Sequence, residues 1–448
     1  MSVELRRLDV AAFERLIAER EHAGFAPPAL DPAGAQRLHE LFGRAISATD
    51  AVREIIGDVR ARGDAALRDW TERLDGVMVK QSGVERRSLQ RAHEELEPGV
   101  RNALVAAAQR VREFHEHQLD MANRGHDSAY LRCEPLRRAG CYVPGGRAAY
   151  PSTVLMGVIP AQVAGVESIA VCSPPAGDAA VHPLVAAAAA LLGVDEVHAV
   201  GGAQAIAALA YGTESIERAD IVVGPGNAFV TLAKREVFGA VGIDQLAGPS
   251  EILVIASSGA DARLVAADLV SQLEHDPLAW AVCLTDDSNL ADAVAAAFAD
   301  AAGAAARGDI ISAAAGDHAA VVVCSGLEQA LSLSAAFAPE HLSLQGAAAE
   351  AQRDRVRGAG AIFVGAFSPV SMGDYIAGPN HTLPTQGAAR YRGPLSVFDF
   401  VRRPSVVQLS AAEFETLAPA AMTLAGAEGL QAHATAISAR LGALERTR

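Results

Sequence analysis

The sequence predicts an α/β protein with two incomplete doubly wound parallel sheets and small helical segments at its two ends. Short β-branched runs alternate with Ala- and Leu-rich helical stretches from about residue 140 onward, which is the rhythm of βαβ units. The 448 residues also exceed what one typical hydrophobic core accommodates. We therefore expect two sheets, each with its own core.

The predicted strands are nearly continuous apolar runs, as parallel strands buried on both faces require. They span residues 168–172, 196–200, 251–255, 280–284, 320–324 and 361–364. Helical periodicity marks most of the first 130 residues, the stretches after the first two strands, and the region from 411 to the end. Between about 365 and 395 it gives way to a tract rich in Gly and Pro, and ordered loops of that length are usually functional.

The composition excludes several classes of function. A net charge of -15 and a pI near 5.3 argue against nucleic acid as a partner, because phosphate binding needs clustered Lys and Arg. The most apolar stretch, 184–194, is about half the length of a membrane span. The first residues lack the apolar core of a secretory signal. The five cysteines show no CxxC spacing, so we expect neither disulfides nor a thiolate zinc site. These features predict a cytoplasmic protein.

A polar face is predicted on the helix from about 261 to 274. Asp268, Ser271, Gln272 and His275 fall at i, i+3, i+4 and i+7, so the last three could address one point. Pro277 ends the helix, and we expect His275 to border the crevice outside the sheet, where open α/β proteins bind ligands. On spacing alone a solvated helix face with a C-terminal His is the commoner explanation.

Other candidate residues are scattered along the chain. Glu340 and His341 stand side by side at the start of a predicted strand and could form an acid/base pair. Asp374 and His381 lie in the long loop, and His433 follows Glu428 on the terminal helix. Each adds a zinc-type ligand from a remote region, although any one of them alone is more often a surface residue. Histidines that lie in charged segments with helical periodicity are predicted to be surface residues. They are His22, His39, His115, His117 and His126.

Glycine-rich turns adjoin three βα units, where backbone amides can approach a phosphate. They are Val143-Pro144-Gly145-Gly146, Gly201-Gly202-Ala203-Gln204 and Val223-Gly224-Pro225-Gly226-Asn227. None is a complete G-x-G-x-x-G, so an ordinary dinucleotide fingerprint is not predicted.

Together these stretches resemble the histidinol dehydrogenase family along nearly the whole chain, in the family's own order. The resemblance rests on Tyr142 to Gly146, Val200 to Gly212, Gly224 to Asn227, Ala247 to Glu251, Ser271 to His275, Ala338 to Leu342, Gly373 to Tyr375 with Asn380-His381, and Ala427 to His433. It implies two Rossmann-like domains and an NAD-linked, zinc-dependent, four-electron oxidation of L-histidinol through the aldehyde to L-histidine, which completes histidine biosynthesis.

The resemblance also implies roles for residues. It places one zinc ion per subunit on Gln272, His275, Asp374 and, across a homodimer interface, His433. It assigns His341 as the base that accepts the alcohol proton and Glu340 as the group that activates water. Its substrate contacts, besides the zinc ligands and His341, are Ser250, His381 and Glu428, and its NAD contacts are Tyr142, Gln204 and Asn227.

The domain boundaries follow from the resemblance and the strand pattern. We expect an N-terminal helical segment at 1–36, a first Rossmann-like domain at 37–140 and 252–394 with most of the zinc and catalytic residues, and a second at 141–251 on the NAD side. Residues 395–448 would form a helical segment that contributes to the partner subunit's site.

The sequence leaves two alternative functions open. A related enzyme could oxidise another small amino alcohol or diol with the same zinc and His341, although Glu428 suits a substrate that carries an ammonium group. The second alternative is a metal-stabilised binding protein without activity, against which the Glu340-His341 pair argues. None of the five cysteines falls within the motifs that carry the chemistry, so a hydrated aldehyde is favoured over a thiohemiacetal.

Overall fold

The structure is a computed structural model that describes residues 3–23, 32–120, 128–145, 149–177 and 180–447. Gly146 and His126 lie outside the described residues. The α-helices are α1 Val10–Ala23, α2 Pro32–Phe42, α3 Ala48–Arg62, α4 Asp64–Asp75, α5 Arg86–Glu94, α6 Pro98–Asp120, α7 Pro151–Ala164, α8 Pro183–Leu191, α9 Gly202–Tyr211, α10 Ala228–Val237, α11 Ala262–Leu273, α12 Ser288–Ala304, α13 Gly308–His318, α14 Leu327–Phe337, α15 Ala347–Glu350, α16 Val370–Tyr375, α17 Ala411–Ala427 and α18 Gln431–Thr447.

The strands follow the predicted alternation with helices. They are β1 Arg6–Leu8, β2 Ala129–Leu131, β3 Glu134–Pro135, β4 Arg138–Tyr142, β5 Ser168–Ser173, β6 Glu196–Ala199, β7 Ile221–Val223, β8 Gly242–Ile243, β9 Glu251–Ala256, β10 Trp280–Thr285, β11 Ala319–Val323, β12 His341–Gln345, β13 Ala361–Val364, β14 Val401–Arg402 and β15 Ser405–Val407. Short 3₁₀ helices lie at Arg353–Arg355, Ala388–Arg390 and Val397–Phe400.

The first sheet has the order β1-β11-β10-β9-β12-β13, and its neighbouring strands are parallel. Apart from β1, its strands run 3-2-1-4-5 in chain order, which is the doubly wound arrangement without a sixth strand. Apolar side chains fill both faces. One face packs on α11, α12 and α13, and the other packs on α1 and α14.

The second sheet repeats this order as β6-β5-β4-β7-β8, again with parallel neighbours. Its strands also run 3-2-1-4-5, and apolar clusters cover both of its faces. The prediction of two incomplete, doubly wound parallel sheets is therefore confirmed. The apolar runs were informative because strands in these sheets bury both faces.

The helices between residues 48 and 120 pack beside the second sheet. Side chains of α3 and α4 share a cluster with α9 and α10, and α6 shares one with α7. The sequence-based boundaries grouped 37–140 with the first sheet instead. This packing does not favour that grouping, and the domain boundaries stay a prediction.

Two features of the N-terminal region differ from expectation. Residues Arg6–Leu8 form an edge strand that pairs in parallel with Ala320 to Val322, although only helix was expected there. His115 is fully buried in α6, whereas His22, His39 and His117 are exposed as predicted. Among the described residues no helix combines the length and apolarity needed to cross a membrane.

Candidate active site

His341 is the first residue of β12, next to the start of β9 in the sheet. It is 4% exposed, and its Nδ1 lies 2.9 Å from the backbone carbonyl oxygen of Glu251. A carbonyl can only accept, so Nδ1 carries the hydrogen and Nε2 keeps its lone pair. Burial, aided by the nearby imidazoles of His275 and His381, lowers the pKa of His341 to about 4. The ring is therefore a neutral proton acceptor at neutral pH.

Glu340 precedes it and is also buried, with 5% exposed. Its Oε2 accepts the backbone N–H of Glu251 at 2.8 Å, and its own N–H donates to Glu251 Oε2 at 3.3 Å. Burial raises the pKa of Glu340 well above its ordinary value, and the carboxylates of Glu251 and Asp374 add to the shift. Its Oε2 lies 3.4 Å from His341 Nδ1. The carboxyl group and the imidazole thus form one buried pair.

Asp374 faces the free nitrogen of this pair. Its Oδ1 lies 3.9 Å from His341 Nε2, and burial raises its pKa to about 7. The preceding residue, Gly373, makes the approach possible, because a Cβ there would lie 2.6 Å from the ring of Phe363. Glycine thus lets α16 pack closely against the sheet and bring Asp374 to the imidazole.

His381 comes from the same Gly- and Pro-rich tract. Its Nδ1 donates to the backbone oxygen of Asp374 at 2.9 Å, since that oxygen can only accept. Its Nε2 lies 3.4 Å from Thr153 Oγ1, on a helix of the second sheet. Asn380 Nδ2 donates to Met156 O on the same helix at 2.7 Å. The tract is therefore ordered by contacts with both sheets, and burial lowers the pKa of His381 to about 4.

Gln272 and His275 lie at the end of α11, whose N-terminus is capped by the side chain of Asp261. Gln272 is 2% exposed, and its Nε2 is buried without a hydrogen-bond partner in the part of the chain that the structure describes. His275 remains accessible, and desolvation lowers its pKa. His275 is near enough to His341 and His381 to help lower the pKa of both. The polar face is thus partly buried, unlike an ordinary solvated face.

The remaining ligand candidates lie apart from this cluster. Glu428 and His433 are exposed residues at the junction of α17 and α18, two helices that pack mainly on each other. Within the described ranges no group of three or more His, Cys, Asp or Glu side chains is arranged to hold a metal ion. The zinc site on Gln272, His275, Asp374 and His433 therefore stays a prediction.

The proposed NAD contacts gather at the carboxyl ends of the second sheet's strands. Tyr142 ends β4, and its hydroxyl oxygen accepts the N–H of Gly202 at 3.2 Å. Gln204, one turn into α9, is fully buried, and both polar atoms of its side chain lack a described partner. Asn227 caps α10 through its side-chain oxygen and is itself exposed. The strand order reverses between β4 and β7, where doubly wound sheets bind ligands.

A buried ion pair holds the loop that carries Asn227. Lys234 and Asp244 are in contact with each other, and both also bind Gly224, whose oxygen accepts from Lys234 Nζ at 2.9 Å and whose N–H donates to Asp244 Oδ2 at 2.8 Å. Gly224 has a φ of +112°, and a Cβ there would lie 2.0 Å from the oxygen of Tyr142. The loop therefore requires glycine at this position.

Comparison with known proteins decides the family. Residues 43–441 match the family model for histidinol dehydrogenase. The chain belongs to the histidinol dehydrogenase family. The histidinol dehydrogenase of Parasynechococcus marenigrum is 50% identical over 391 residues, which are 86% of this chain and 90% of that protein. The Rhodospirillum rubrum enzyme is 48% identical over 400 residues, 88% of this chain and 92% of that protein.

The fold is also similar to that in the crystal structure of histidinol dehydrogenase from Elizabethkingia anophelis. The TM-score is 0.89, the sequences are 31% identical, and 99% of both chains is covered. Membership of the histidinol dehydrogenase family confirms the predicted resemblance and the predicted enzyme class, an NAD-dependent oxidoreductase. It also implies the use of NAD.

Glu251 is the residue whose importance the sequence did not reveal. It lies in the stretch Ala247 to Glu251, which carries part of the family resemblance, but that resemblance gives Glu251 no role. In the structure its backbone and side chain contact both Glu340 and His341. The sequence does contain a signal for its importance, which is a carboxylate at the start of an otherwise apolar strand. A buried carboxylate in that position needs polar partners.

Proposed function

We propose that this member of the histidinol dehydrogenase family oxidises L-histidinol to L-histidine in two NAD-linked steps, four electrons in all. The observation that carries the proposal is the buried pair of Glu340 and His341, with the free Nε2 of His341 facing Asp374 at 3.9 Å. The neutral imidazole can accept the proton of the alcohol, and the carboxyl group beside it can activate the water that adds to the aldehyde.

In the first step His341 Nε2 accepts the hydroxyl proton while a hydride leaves the carbinol carbon, which gives the aldehyde. The low pKa of His341 keeps this nitrogen unprotonated before the reaction. Its bond to the Glu251 carbonyl holds the ring and its tautomer in place. NAD, when bound, supplies the hydride acceptor.

In the second step water adds to the aldehyde. Glu340, in its carboxylate form, accepts a proton from that water and returns it to the former aldehyde oxygen, so that the neutral hydrate forms. The hydrate then loses a proton to His341 and a hydride to a second NAD, which gives the carboxylic acid. A cysteine nucleophile is not favoured, because Cys141, Cys172, Cys283 and Cys324 are buried and burial raises the pKa of Cys283 to about 12. Buried thiols of this kind are unreactive.

The zinc proposal rests on the donor set. Gln272, His275 and Asp374 would hold the ion together with His433 of the partner subunit. The Nε2 of Gln272 is buried without a hydrogen-bond partner among the described residues, and rotating the amide by half a turn would put its oxygen, the ligand atom, in that position. Two imidazoles, an amide oxygen and one carboxylate suit Zn²⁺ and leave it a net positive charge. Zinc, when bound, would fix the substrate's imidazole and amine and so orient the carbinol carbon.

The homodimer proposal rests on the helical hairpin α17–α18. It exposes Leu417, Leu424 and Leu430 by 53%, 64% and 44%, an apolar surface that a partner subunit could cover. Glu428 would reach the neighbouring site with His433 and meet the substrate's ammonium group, while Ser250 and His381 would contact the substrate within one chain. Tyr142, Gln204 and Asn227 would line the NAD site. The cytoplasmic location stays a prediction.

A substrate panel tests the proposal. Protein reconstituted with zinc is incubated with NAD and L-histidinol, or with other small amino alcohols and diols, and the products are identified by mass spectrometry. We expect L-histidine as the product and at least about a hundredfold preference in kcat/KM for L-histidinol, since buried polar groups reject substrates that leave them unpaired. A higher kcat/KM for another alcohol would show that this alcohol, and not L-histidinol, is the substrate. No turnover of any alcohol would refute the proposed activity.

A further inference from the structure

Arg20 connects the N-terminal helix to the catalytic pair. It lies on α1, outside the residues 43–441 that match the family model. Its Nη2 pairs with Oε1 of Glu251, and its Nη1 donates to the backbone oxygen of Phe337. The side chains of Arg20 and Glu251 are 11% and 1% exposed. The contact is therefore a nearly dry ion pair.

The buried face of α1 places Arg20 there. Phe13, Ile17 and Arg20 fall at i, i+4 and i+7, and the two apolar residues are buried against the first sheet. The guanidinium carbon lies 4.0 Å from the ring centroid of Phe337, and that ring also stacks on Phe13 with centroids 5.9 Å apart. Arg20 thus contacts both the carbonyl and the ring of Phe337, the last residue of α14, which lies three positions before Glu340.

Glu251 connects Arg20 to both catalytic residues through hydrogen bonds. Its Oε2 accepts the N–H of Glu340, its backbone N–H donates to Glu340 Oε2, and its carbonyl accepts from His341 Nδ1. Its Oε1 is shared between Arg20 and the N–H of Gln386 at 3.0 Å. Every polar group of the Glu251 residue is therefore directed at the catalytic pair or at the groups that fix it.

Two residues with strained backbone conformations lie next to Glu340 and Glu251. Among the described residues, the non-glycine residues with positive φ are Ala338, at 50°, and Gln386, at 53°. Ala338 begins the turn that leads to Glu340, and Gln386 donates to Glu251. Such conformations cost free energy and persist only where surrounding contacts enforce them. Arg20 supplies contacts on both sides, to Phe337 and to Glu251.

We propose that Arg20 is a positioning residue for the oxidation, fixing Glu340 and His341 through the Glu251 carboxylate and the Phe337 carbonyl. The proposal rests on the proposed function for the reaction that is measured. Because the guanidinium uses two nitrogens and a stacked face at once, lysine can replace only part of its role.

The kinetic test compares Arg20→Met and Arg20→Lys with Arg15→Met, a matched control at an exposed arginine of the same helix. Rates are expressed per NAD-binding site, so that misfolded protein does not count. Arg20→Met is expected to lower kcat by at least about tenfold while changing KM for L-histidinol by less than about threefold, because small displacements of reacting groups cost rate more than binding. Arg20→Lys should fall between this variant and the wild type.

Two further measurements keep the test decisive. Arg20→Met/Glu251→Gln removes both charges, so it avoids an unpaired buried carboxylate if Arg20→Met does not fold, and it should also lose kcat. The Nδ1–H signal of His341 in protein labelled with ¹⁵N-histidine, assigned by its loss in His341→Asn, should shift in Arg20→Met but not in Arg15→Met.

The inference is overturned if kcat per site in the Arg20 variants stays within about twofold of the Arg15→Met control, or if the His341 signal does not move. Failure of the proposed function looks different. The wild-type protein would then not oxidise L-histidinol, while the His341 signal would still report whether Arg20 positions the ring.

Discussion

The Nδ1 atom of His341 donates to the backbone carbonyl oxygen of Glu251 at 2.9 Å, and Nε2 of the same ring faces Asp374 Oδ1 at 3.9 Å. The first contact assigns the hydrogen, and the second shows which nitrogen is directed into the site. A single imidazole can therefore serve as the base in both oxidation steps, provided that its protonated form returns the proton to solvent between them.

Replacing His341 with asparagine tests the base. The amide can still donate to Glu251 O but cannot accept a proton, so kcat should fall by at least about a hundredfold with little change in melting temperature. Steady-state NADH formation and thermal unfolding are the measurements. His39→Asn, at an exposed histidine, is the control and should keep wild-type rates. A rate for His341→Asn near that of the control would remove His341 from the mechanism.

Glu340→Gln separates the two steps. The amide oxygen can still accept the Glu251 N–H, but the side chain cannot take a proton from water. We expect alcohol oxidation to continue and aldehyde oxidation to slow by about a hundredfold, so that aldehyde accumulates and can be trapped with semicarbazide. Equal loss of both steps would instead indicate that Glu340 only positions His341.

Mixing inactive variants tests the shared site. If His433 acts in the partner's site, dimers formed randomly from His433→Ala and His341→Asn chains include heterodimers with one intact site, and about a quarter of wild-type activity should return. His341→Asn mixed with Glu340→Gln is the control. Both residues belong to one chain's site, so formation of L-histidine should not recover, although Glu340→Gln still oxidises the alcohol. Absence of recovery in the first mixture would place His433 in its own chain's site or outside the chemistry.

The carboxylate of Glu196 predicts a pH-dependent contribution to stability. Burial alone would raise its pKa, but hydrogen bonds from His198 and Arg138 outweigh burial and lower it from 4.5 to about 2. Because the folded value lies below the unfolded one, the stabilisation is complete above about pH 4.5 and is lost as the pH falls through about 2.

Glu196→Gln should therefore lower the free energy of unfolding at pH 7 by about 1–2 kcal/mol, a value reduced for solvent screening because the side chain is 35% exposed. The difference from wild type should shrink steadily between pH 4.5 and 2. Urea unfolding at several pH values measures it. Glu217→Gln, in an exposed pair with Arg137, is the control and should show almost no difference. A constant difference across this pH range would contradict the assignment.

Much of the fold could be predicted because its signals are local. Continuous apolar runs marked β5, β9, β10 and β11 to within one or two residues, since strands buried on both faces consist mostly of apolar side chains. The helix expected from about 261 to 274 agrees with α11 to within one residue at each end. The edge strand Arg6–Leu8 gave no such signal, because an edge strand of three residues needs no buried run.

The location of the site could not be predicted in the same way. Doubly wound sheets usually bind ligands at the carboxyl ends of their strands, and the proposed NAD contacts do lie there in the second sheet. Glu340 and His341, however, lie at the amino ends of strands in the first sheet, as does Glu251. That choice depends on how Arg20 and the tract around Asp374 fold back onto the sheet, which is long-range packing without a local pattern.

The number of NADH molecules formed per molecule of L-histidinol distinguishes oxidation in two steps from oxidation in one. Zinc-reconstituted protein is given excess NAD and a limiting, weighed amount of L-histidinol, and the absorbance is followed to completion. Two NADH per L-histidinol, with L-histidine as the product, is the result expected from one base that acts twice and one carboxyl group that activates water. One NADH with the aldehyde as the final product, or no NADH, would contradict it.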